Sequence, residues 1–326
     1  MDKSPNQPDP TLVYDLFSGV WKPHLIRIAL QLDILTPLAS GAASTEVVAQ
    51  YCQCDRFGAK ALLDYLASLK VIERHADNTY SLTSTADTFL VRGRKSYVGD
   101  LILHYTDEAF FESVLQSLRS GKPIPLVEDF AQDAWLESYS EWRIQYSREM
   151  WQTAGITPDQ FLDIEVLDIA CGCAIKSLIL AQASPKVRIT CLDAPDVLVV
   201  ARDLVERMQV TSQVSFMPAD LLEADFGEGQ FDAVLLGQIS HYLTESQNKD
   251  LFRRIYAALS PNGTFLIDCP MTTDQPSENA SFLTLVLWAN SDGMAYPFET
   301  YQVWLKDTGF RQIKQLSERW LAATKS

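Results

Sequence analysis

The stretch of residues 166–177 constrains the fold of this chain more than any other. It reads Val-Leu-Asp-Ile-Ala-Cys-Gly-Cys-Ala-Ile-Lys-Ser, an apolar run followed by small residues and a helical segment. A parallel strand that turns directly into a helix directs backbone N–H groups and the positive end of the helix dipole at whatever lies over the turn. The pattern therefore predicts a strand, a tight turn and a helix that together bind an anion or a carboxylate.

A carboxylate follows this turn at the spacing of a nucleotide-cofactor site. Asp193 stands about 20 residues onward, at the end of the next predicted strand, where it can accept hydrogen bonds from two ribose hydroxyls. Only Gly172 of the turn is glycine, and Ala170 and Ala174 hold the flanking small positions. A methyl group is tolerated there only where φ stays negative and the ligand leaves room. The turn alone leaves an ordinary strand-to-helix connection as an open alternative.

Composition argues against two classes of partner. The formal net charge is −15 and the isoelectric point is near 4.7, so the chain repels phosphate backbones and anionic lipid. No apolar run approaches the roughly 18 residues that a membrane helix needs, and the start of the chain lacks the apolar core of a secretion signal. We therefore expect a folded cytoplasmic protein without nucleic-acid or membrane partners.

The six cysteines do not have the spacing of a metal site. Cys52 and Cys54 form a Cys-x-Cys pair, as do Cys171 and Cys173, whereas zinc sites use Cys-x-x-Cys pairs with further ligands at set distances. We expect no bound metal and no disulfide framework. The thiols should instead pack as small apolar groups near strand ends.

The chain changes character near residue 160. Residues 1–96 show helical periodicity and then a hairpin, in which residues 71–74 and 79–83 flank a turn; this order predicts a winged-helix domain. Residues 97–160 form a predicted helical bridge rich in aromatic residues. Residues 161–326 alternate strands with helices and form the predicted third part.

The winged-helix module has two interpretations. Its candidate recognition helix runs from Arg56 to Lys70 and carries one further basic residue, Lys60, which is thin for contacts with phosphate groups. The apolar helices between Thr11 and Leu38 would expose much hydrophobic surface in a monomer. We therefore favour homodimerisation over DNA binding.

The C-terminal part is typical of a doubly wound α/β sheet. Its candidate parallel strands are residues 165–169, 187–193, 214–217, 231–237 and 264–268. In such a sheet, ligands gather at the carboxyl ends of the strands, where the topology reverses. Four polar residues fall at or just after those ends: Asp193, Asp220, His241 and Asp268. This agreement predicts a Rossmann-like ligand site at one edge of the sheet.

These segments resemble the class I S-adenosylmethionine-dependent methyltransferases, and among them the small-molecule O-methyltransferases with an N-terminal winged-helix dimerisation domain. Residues 167–174 are similar to the family's Leu-Asp-x-Gly-x-Gly-x-Gly turn, residues 192–195 to its Asp-Leu-Pro ribose segment, and residues 219–222 to its Gly-Asp-Phe/Met adenine segment. Residues 237–241 resemble the segment that carries the catalytic histidine. The likeness extends over nearly the whole chain, through residues 288–310.

The resemblance implies which residues bind S-adenosyl-L-methionine. Asp193 would bind the ribose diol, Asp220 would bind the adenine amino group, and Leu221 would pack on the adenine ring. The other implied cofactor residues are Asp168, Ala170, Gly172, Ala194, Gly237 and Gln238. Plant members have a lysine where this chain has Gly237, so that contact is absent, and compensation by Gln238 is left open.

The resemblance also implies an acceptor pocket. Residues 146–150, from Tyr146 to Met150, look like the family's Phe-Asn-x-x-Met helix between cofactor and acceptor, and Trp288 falls in the corresponding C-terminal region. Met150 is then a neighbour of the transferred methyl group, with an ordinary core methionine as the alternative. Plant members place acidic residues around their histidine, whereas Tyr296 occupies one such place here.

Catalysis by such an enzyme asks for one base. A sulfonium methyl group already has a good leaving group, so the protein must hold an acceptor oxygen in line and remove its proton. Of the four histidines, only His241 falls at the predicted cofactor edge, and imidazole titrates near neutral pH. We expect His241 to be the general base. A histidine with a purely structural hydrogen bond is the alternative.

The resemblance thus implies a homodimeric enzyme that methylates a hydroxyl of a small aromatic or polyketide-like metabolite and releases S-adenosyl-L-homocysteine. Residues 161–326 would be its catalytic domain, and the bridge of residues 97–160 would contribute to its acceptor pocket. Methylation at nitrogen or carbon is the nearest alternative, because only the acceptor pocket differs. A nicotinamide-dependent oxidoreductase is less favoured, because it has no role for the Asp220 segment. A third alternative is a family member that binds the cofactor without turnover. Ala170, Ala174 and Gly237, which depart from the family's pattern, suggest it. The acceptor's identity does not follow from the sequence.

Overall fold

The chain folds into two compact units, residues 1–110 and 111–326. The computed structural model describes residues 10–94, 96–124, 141–273 and 277–325. No helix within these ranges is long and apolar enough to cross a membrane. The domain boundaries at residues 96 and 160 remain predictions.

The first unit combines short helices with a three-stranded antiparallel sheet. Its helices are Thr11–Gly19, Trp21–Gln31, Thr45–Tyr51, Arg56–Ser68, Ser84–Leu90 and Gly99–Tyr105, with a 3₁₀ turn at Thr36–Leu38. Its strands are β1 (Ala43–Ser44), β2 (Ile72–Arg74) and β3 (Thr79–Leu82), in the spatial order β1-β3-β2. The predicted hairpin is confirmed as the pair of β2 and β3.

Local chemistry explains how this unit folds. Asp55 caps the helix Arg56–Ser68, because its side chain accepts a hydrogen bond from the backbone N–H of Gly58 at 2.8 Å. Leu63 and Leu66 of this helix are fully buried with Ile72 of the wing in one apolar core. Burying each such side chain contributes roughly 1.5–3 kcal/mol, so the helix and the wing stabilise each other.

The second unit is built around a seven-stranded sheet. Its strands are β4 (Glu165–Ile169), β5 (Arg188–Asp193), β6 (Val214–Pro218), β7 (Phe231–Gly237), β8 (Leu259–Asp268), β9 (Arg311–Gln315) and β10 (Trp320–Thr324). The spatial order is β6-β5-β4-β7-β8-β10-β9, parallel from β6 to β8 and antiparallel beyond. The five predicted strands are confirmed, although β8 begins at Leu259 instead of residue 264. Sequence reasoning missed β9 and β10.

Helices accompany the sheet on both faces. They are Glu141–Thr153, Ile175–Ala183, Val197–Arg207, Glu245–Ala258, Glu278–Asn290 and Phe298–Thr308, while Glu108–Ser120 spans the division between the units. In β4, Val166 packs into one core cluster, and Leu167 and Ile169 pack into another. All three side chains are fully buried, as expected for a central parallel strand covered on both sides.

The strand register places the polar strand ends at one edge of the sheet. Asp193 at the end of β5 pairs with Pro218 at the end of β6. Asp268 at the end of β8 pairs with Gly237 at the end of β7. The carboxyl ends of these parallel strands therefore define the edge where ligands bind in such sheets.

The turn between β4 and the next helix is left-handed at three positions. φ is 54° at Ala170, 55° at Gly172 and 60° at Ala174, so the condition of a negative φ at the two alanines is wrong. This conformation costs a residue with a Cβ roughly 1–2 kcal/mol. Backbone hydrogen bonds hold the turn in place: Ala174 N–H donates to the carbonyl of Cys171 at 2.8 Å, and Cys171 N–H donates to that of Leu192 at 3.1 Å.

Ala174→Gly should stabilise the protein, because glycine adopts the left-handed conformation without the Cβ penalty. We expect the free energy of unfolding to rise by about 1 kcal/mol in urea titrations. Ala181→Gly, inside the same helix, is the control and should lower it by about 1 kcal/mol or more. A loss of stability in both variants would contradict strain at Ala174.

Candidate active site

Asp193 anchors the left-handed turn to the end of β5. Its Oδ2 accepts a hydrogen bond from the backbone N–H of Gly172 at 2.8 Å, and its Oδ1 accepts one from that of Ala194 at 2.8 Å. The side chain is half-buried, and burial raises its pKa, opposed by these two hydrogen bonds. Each carboxylate oxygen has a second lone-pair site, so Asp193 can still accept two hydroxyl hydrogen bonds.

Asp168 lies beneath the turn. It is fully buried, and its Oδ2 accepts a hydrogen bond from Oγ of Ser177 at 2.6 Å. Burial raises the pKa of Asp168 to about 6, and the Ser177 hydroxyl opposes that shift. The structure thus gives this predicted cofactor residue a bracing contact with the first turn of the following helix.

The predicted adenine segment lies beside Asp193. The backbone N–H of Ala219 donates to the carbonyl of Asp193 at 3.1 Å. Asp220 is exposed, and its Oδ1 accepts a hydrogen bond from the N–H of Leu222 at 2.8 Å. Leu221 is half-buried and packs against the main core cluster. The ribose and adenine candidates therefore form one continuous rim.

Asp268 is the charged centre of the neighbouring strand end. Its side chain is 1% exposed, and Nζ of Lys176 lies 2.7 Å from its Oδ2. Its Oδ1 accepts hydrogen bonds from the hydroxyl of Tyr146 at 2.8 Å and from Nε2 of Gln238 at 3.0 Å. Burial acts to raise the pKa of Asp268, but Lys176 and then Arg319 hold it below its usual range.

Lys176 is the site residue that sequence reasoning missed. A methyl group built on Gly237 would lie 2.9 Å from Nζ of Lys176, so the absence of a side chain at residue 237 makes room for this ammonium group. The side chain of Lys176 thus extends from the helix after the turn to the space beside residue 237. The available signal was its position directly after the turn, two residues beyond Ala174.

Gln238 is also held by Asp268. Its φ is 61°, and its backbone N–H donates to the carbonyl of Asp268 at 2.7 Å, beside the side-chain contact described above. The left-handed backbone bends the chain away from β7 toward the turn Ser240–Tyr242, which carries His241.

His241 is 4% exposed in this short 3₁₀ turn. Burial lowers its pKa to about 3, and Arg319 adds to that effect while Asp268 opposes it. Within the described ranges, Nδ1 of the ring has no hydrogen-bond partner. Tyr296, at the place of a family acidic residue, donates its hydroxyl to the carbonyl of Leu243 at 2.9 Å instead. The imidazole is therefore neutral and has no carboxylate partner among the described residues.

The three predicted acceptor residues occupy different surroundings. Tyr146 belongs to the Asp268 network, where its hydroxyl also accepts a hydrogen bond from Nε1 of Trp320 at 2.7 Å. Met150 is fully buried in a core cluster, so the structure gives it a packing role, and its place beside the methyl group remains a prediction. Trp288 lines a cavity of about 410 Å³.

The remaining walls of this cavity are short polar and aliphatic side chains. Thr272, Ser281, Thr284 and Leu285 line it with Trp288. Its volume lies within the range of roughly 300–1,000 Å³ that is typical of small-molecule pockets. The hydroxyls of Thr272 and Thr284 donate to the backbone carbonyls of Ala295 and Ala280, so the indole of Trp288 and the aliphatic parts of these side chains suit an apolar ring system.

The cysteines near the site pack as predicted. Cys173, Cys191 and Cys269 are buried, and Cys171 is half-buried. Burial raises the pKa of Cys269 to about 12. No group of metal-ligating side chains occurs in the part of the chain that the structure describes.

The residues at this edge fit S-adenosylmethionine. Asp193 keeps two lone-pair sites for a diol, and the turn beside it carries no side chain larger than that of cysteine. The space over Gly237 holds a cation, Lys176, and not an apolar group. The free lone pairs of Asp193 suit the ribose diol of that cofactor. The small-residue turn lets its chain pack against the backbone, and Lys176 suits its carboxylate.

Two family models match the chain. Residues 14–92 match the O-methyltransferase dimerisation domain, and residues 166–263 match a methyltransferase domain. Together these segments make up more than half of the chain. Each segment lies within one of the two folded units.

Known proteins resemble the chain over nearly its whole length. The 3-hydroxy-5-methyl-1-naphthoate 3-O-methyltransferase of Streptomyces sahachiroi is 26% identical and covers 95% of this chain and 92% of the relative. The tetracenomycin polyketide synthesis 8-O-methyl transferase TcmO of Streptomyces glaucescens is 25% identical and covers 88% and 87%. The structure of human N-acetylserotonin methyltransferase in complex with SAM matches in fold, with a TM-score of 0.76, 19% identity and coverage of 99% and 100%.

The strand order, the position of the turn and the two family models all indicate the same protein family. The dimerisation model covers the first unit from within its first helix to the helix Ser84–Leu90, and the methyltransferase model covers β4 to β7 and the start of β8. The chain belongs to the S-adenosylmethionine-dependent small-molecule O-methyltransferases that carry an N-terminal dimerisation domain.

Proposed function

We propose that this enzyme methylates a hydroxyl group of a small aromatic or polyketide-like metabolite, with His241 as the general base. The observation that carries the proposal is the place of the buried His241 imidazole, in the turn just after β7 at the sheet edge where the cofactor candidates lie. The names of two relatives support the acceptor class, since they act on a naphthoate and in polyketide synthesis. The cavity beside Trp288 has the size for such a ring system.

Residues that follow or end the strands β4, β5 and β6 would hold the cofactor. Asp193 would accept hydrogen bonds from the ribose diol, and Asp220 from the adenine amino group, while Leu221 would pack on the adenine ring. The turn at residues 170–174 and Ala194 would line the cofactor with backbone and small side chains. When bound, S-adenosylmethionine supplies a methyl group on a sulfonium that is a good leaving group.

Lys176 would bind the carboxylate of the cofactor's amino-acid end. Its side chain is 20% exposed, so the ammonium is not closed off by its contact with Asp268. An ammonium has three N–H donors, and one ion pair leaves the others available. The missing side chain of Gly237 is what lets the ammonium reach this place.

Lys176→Met should weaken binding of S-adenosylhomocysteine by about 10- to 100-fold in calorimetry, the size expected for one charge-assisted hydrogen bond. Lys186→Met is the matched control, because Lys186 is an exposed lysine beyond the other end of the same helix. Binding of adenosine, which lacks the amino-acid end, should stay unchanged in both variants.

An equal loss of adenosine binding in Lys176→Met would contradict the carboxylate contact. It would show that the substitution acts by leaving Asp268 buried without its cation.

The role proposed for His241 follows from its charge state. A neutral imidazole is the form that accepts a proton, and the low pKa keeps it in that form at physiological pH. A phenolic hydroxyl is a far stronger acid than an aliphatic alcohol, so a weakly basic imidazole suits a phenol. Arg319 and Lys176 place positive charge near the imidazole, and such charge would stabilise the negative charge that develops on an acceptor oxygen beside His241.

His241→Ala should reduce turnover of 3-hydroxy-5-methyl-1-naphthoate or related hydroxynaphthoates by roughly 10²-fold or more, because a general base contributes that much. Calorimetry with S-adenosylhomocysteine should give an unchanged affinity. A variant with full turnover would show that the acceptor ionises without help from His241.

Methylation at nitrogen is the second candidate. The unpartnered Nδ1 of His241 favours it, because an amine acceptor attacks with its own lone pair and needs no oriented base. A phenazine-1-carboxylate N-methyltransferase of Pseudomonas aeruginosa is among the relatives, at 24% identity over 83% of this chain. Turnover of hydroxynaphthoates and none of the matching amines separates the two candidates.

We propose further that the protein is a homodimer through its first helix. None of the residues of Thr11–Gly19 is buried, and Leu12, Tyr14, Leu16 and Phe17 are each exposed by 62% or more. An apolar face of this size is unusual on a monomer. A second copy of the chain covers it, in keeping with the dimerisation model, which begins at residue 14.

Six free thiols suit a reducing compartment, and we propose the cytoplasm.

Leu16→Asp should convert the dimer into a monomer, because it places a charge in the apolar contact. Sedimentation should show a mass of twice 36.6 kDa for the wild type and 36.6 kDa for the variant. Val199→Asp is the control, since Val199 is 64% exposed on a helix of the second unit and should leave the dimer intact. A monomeric wild type would refute the interface.

A further inference from the structure

A buried carboxamide clamps the turn that carries His241. Asn248, in the helix Glu245–Ala258, is fully buried. The two protons of its Nδ2 are shared among three backbone carbonyls of the turn and its exit: Ser240 at 3.0 Å, Leu243 at 3.1 Å and Thr244 at 3.2 Å. Its Oδ1 accepts a hydrogen bond from Oγ of Ser240 at 2.6 Å. One side chain therefore holds the chain on both sides of His241.

The hydroxyl of Ser240 connects this clamp to two further elements. Because Ser240 donates its only hydroxyl proton to Asn248, the hydroxyl of Tyr301 at 2.9 Å donates to Ser240. Sγ of Cys269, just beyond β8, lies 3.2 Å from the Tyr301 oxygen. Ser240, Tyr301 and Cys269 are all fully buried, so these contacts are shielded from water and from competing partners.

Close packing fixes the other side of the turn. A Cβ at Gly293 would overlap the carbonyl oxygen of His241, so the backbone at residue 293 lies directly against the turn. The hydroxyl of Tyr296 donates to the carbonyl of Leu243, which thereby accepts two side-chain hydrogen bonds. The backbone of the turn is held from three directions, whereas the imidazole lacks a partner for Nδ1 among the described residues.

We propose that Asn248 is the positioning residue for His241, setting the direction of the imidazole through the backbone of its turn. In many enzymes a carboxylate orients the catalytic histidine through its second ring nitrogen. Here Asp268 is engaged by Lys176, Tyr146 and Gln238, and the clamp replaces side-chain orientation. The inference rests on the proposed role of His241 as base.

The chain contains a matched control for this clamp. Nε2 of Gln213 also donates to three backbone carbonyls, those of Ala181 at 3.0 Å, Ser184 at 2.7 Å and Val187 at 3.1 Å. Gln213 directly precedes β6, at the end of the sheet opposite to the site. Gln213→Ala removes three carbonyl contacts of the kind that Nδ2 of Asn248 makes, without touching the turn of His241.

The first experiment compares ring spectra of Asn248→Ala and Gln213→Ala in protein labelled with ¹⁵N at histidine. The chain has four histidines, and His241→Ala identifies the His241 signals. We expect one neutral His241 ring state between about pH 5.5 and 8 in the wild type and in Gln213→Ala. In Asn248→Ala we expect several ring states of His241, or a titration of its imidazole in this pH range. The charged groups that face this ring are Asp268, Lys176 and Arg319. Unchanged His241 signals in Asn248→Ala would overturn the proposal.

The second experiment measures turnover of hydroxynaphthoates. Asn248→Ala should lower kcat by about 10-fold or more, since displacement by about 1 Å costs up to 10²-fold, with S-adenosylhomocysteine affinity unchanged. The same substitution in a His241→Ala background should have no further effect on kcat. An equal loss in both backgrounds, or the same loss in Gln213→Ala, would overturn the proposal.

A milder variant guards against failure to fold. Tyr301→Phe removes only the hydroxyl that holds Ser240, and we expect a smaller change of the same kind in kcat and in the His241 signals. If Tyr301→Phe matches the wild type in both, loosening Ser240 does not move the imidazole, which would count against orientation through the backbone of the turn. Full turnover of His241→Ala would refute the base role instead, and the ring spectra would still decide whether Asn248 orients His241.

Discussion

A buried carboxylate, Asp268, is the interaction on which the rest of the site depends. An unpaired charge at 1% exposure would cost several kcal/mol, so the surrounding chain has to supply its partners. Lys176 comes from the helix after the turn, Tyr146 from the helix Glu141–Thr153, and Gln238 from the end of β7. Satisfying one side chain therefore fixes three elements against β8, all on the edge where the cofactor candidates lie.

This pairing explains two features that look unfavourable in isolation. Gly237 offers no side chain to the site, but its bare backbone is what admits Lys176. The left-handed φ of Gln238 carries a steric cost, yet it lets both the backbone and the side chain of Gln238 donate to Asp268. The missing side chain at Gly237 and the strained backbone of Gln238 thus both help to satisfy the charge of Asp268.

The sequence revealed those parts of the fold that depend on local patterns. β4 to β8 were predicted because buried parallel strands are continuous apolar runs. β9 escaped because Arg311–Gln315 is a mostly exposed edge strand of polar residues, and β10 because its only signal is a short apolar run in an antiparallel pair. The left-handed alanines could not be read, since alanine normally indicates negative φ.

Contacts between distant residues were beyond sequence reasoning for a different reason. Asp193 and Asp220 were predicted as cofactor residues because the spacing of a cofactor motif lies along the chain. Lys176 and Asp268 are 92 residues apart and meet only because β4, β7 and β8 are neighbours in the sheet. The clamp of Asn248 on Ser240 is short-range, but asparagine inside a helix carries no pattern that distinguishes it from a surface residue.

The orientation of His241 shows how these levels combine. A base that is held through its own side chain needs a buried partner, and the nearby carboxylate is already committed to Lys176. Holding the backbone avoids a second buried charge, because neutral amide and hydroxyl groups satisfy one another at lower desolvation cost. Burial and the lack of a carboxylate partner among the described residues keep the pKa of the imidazole low, so it is a weak base that favours acidic hydroxyls over alcohols. The electrostatics of Asp268 thus restrict the chemistry that the neighbouring imidazole can perform.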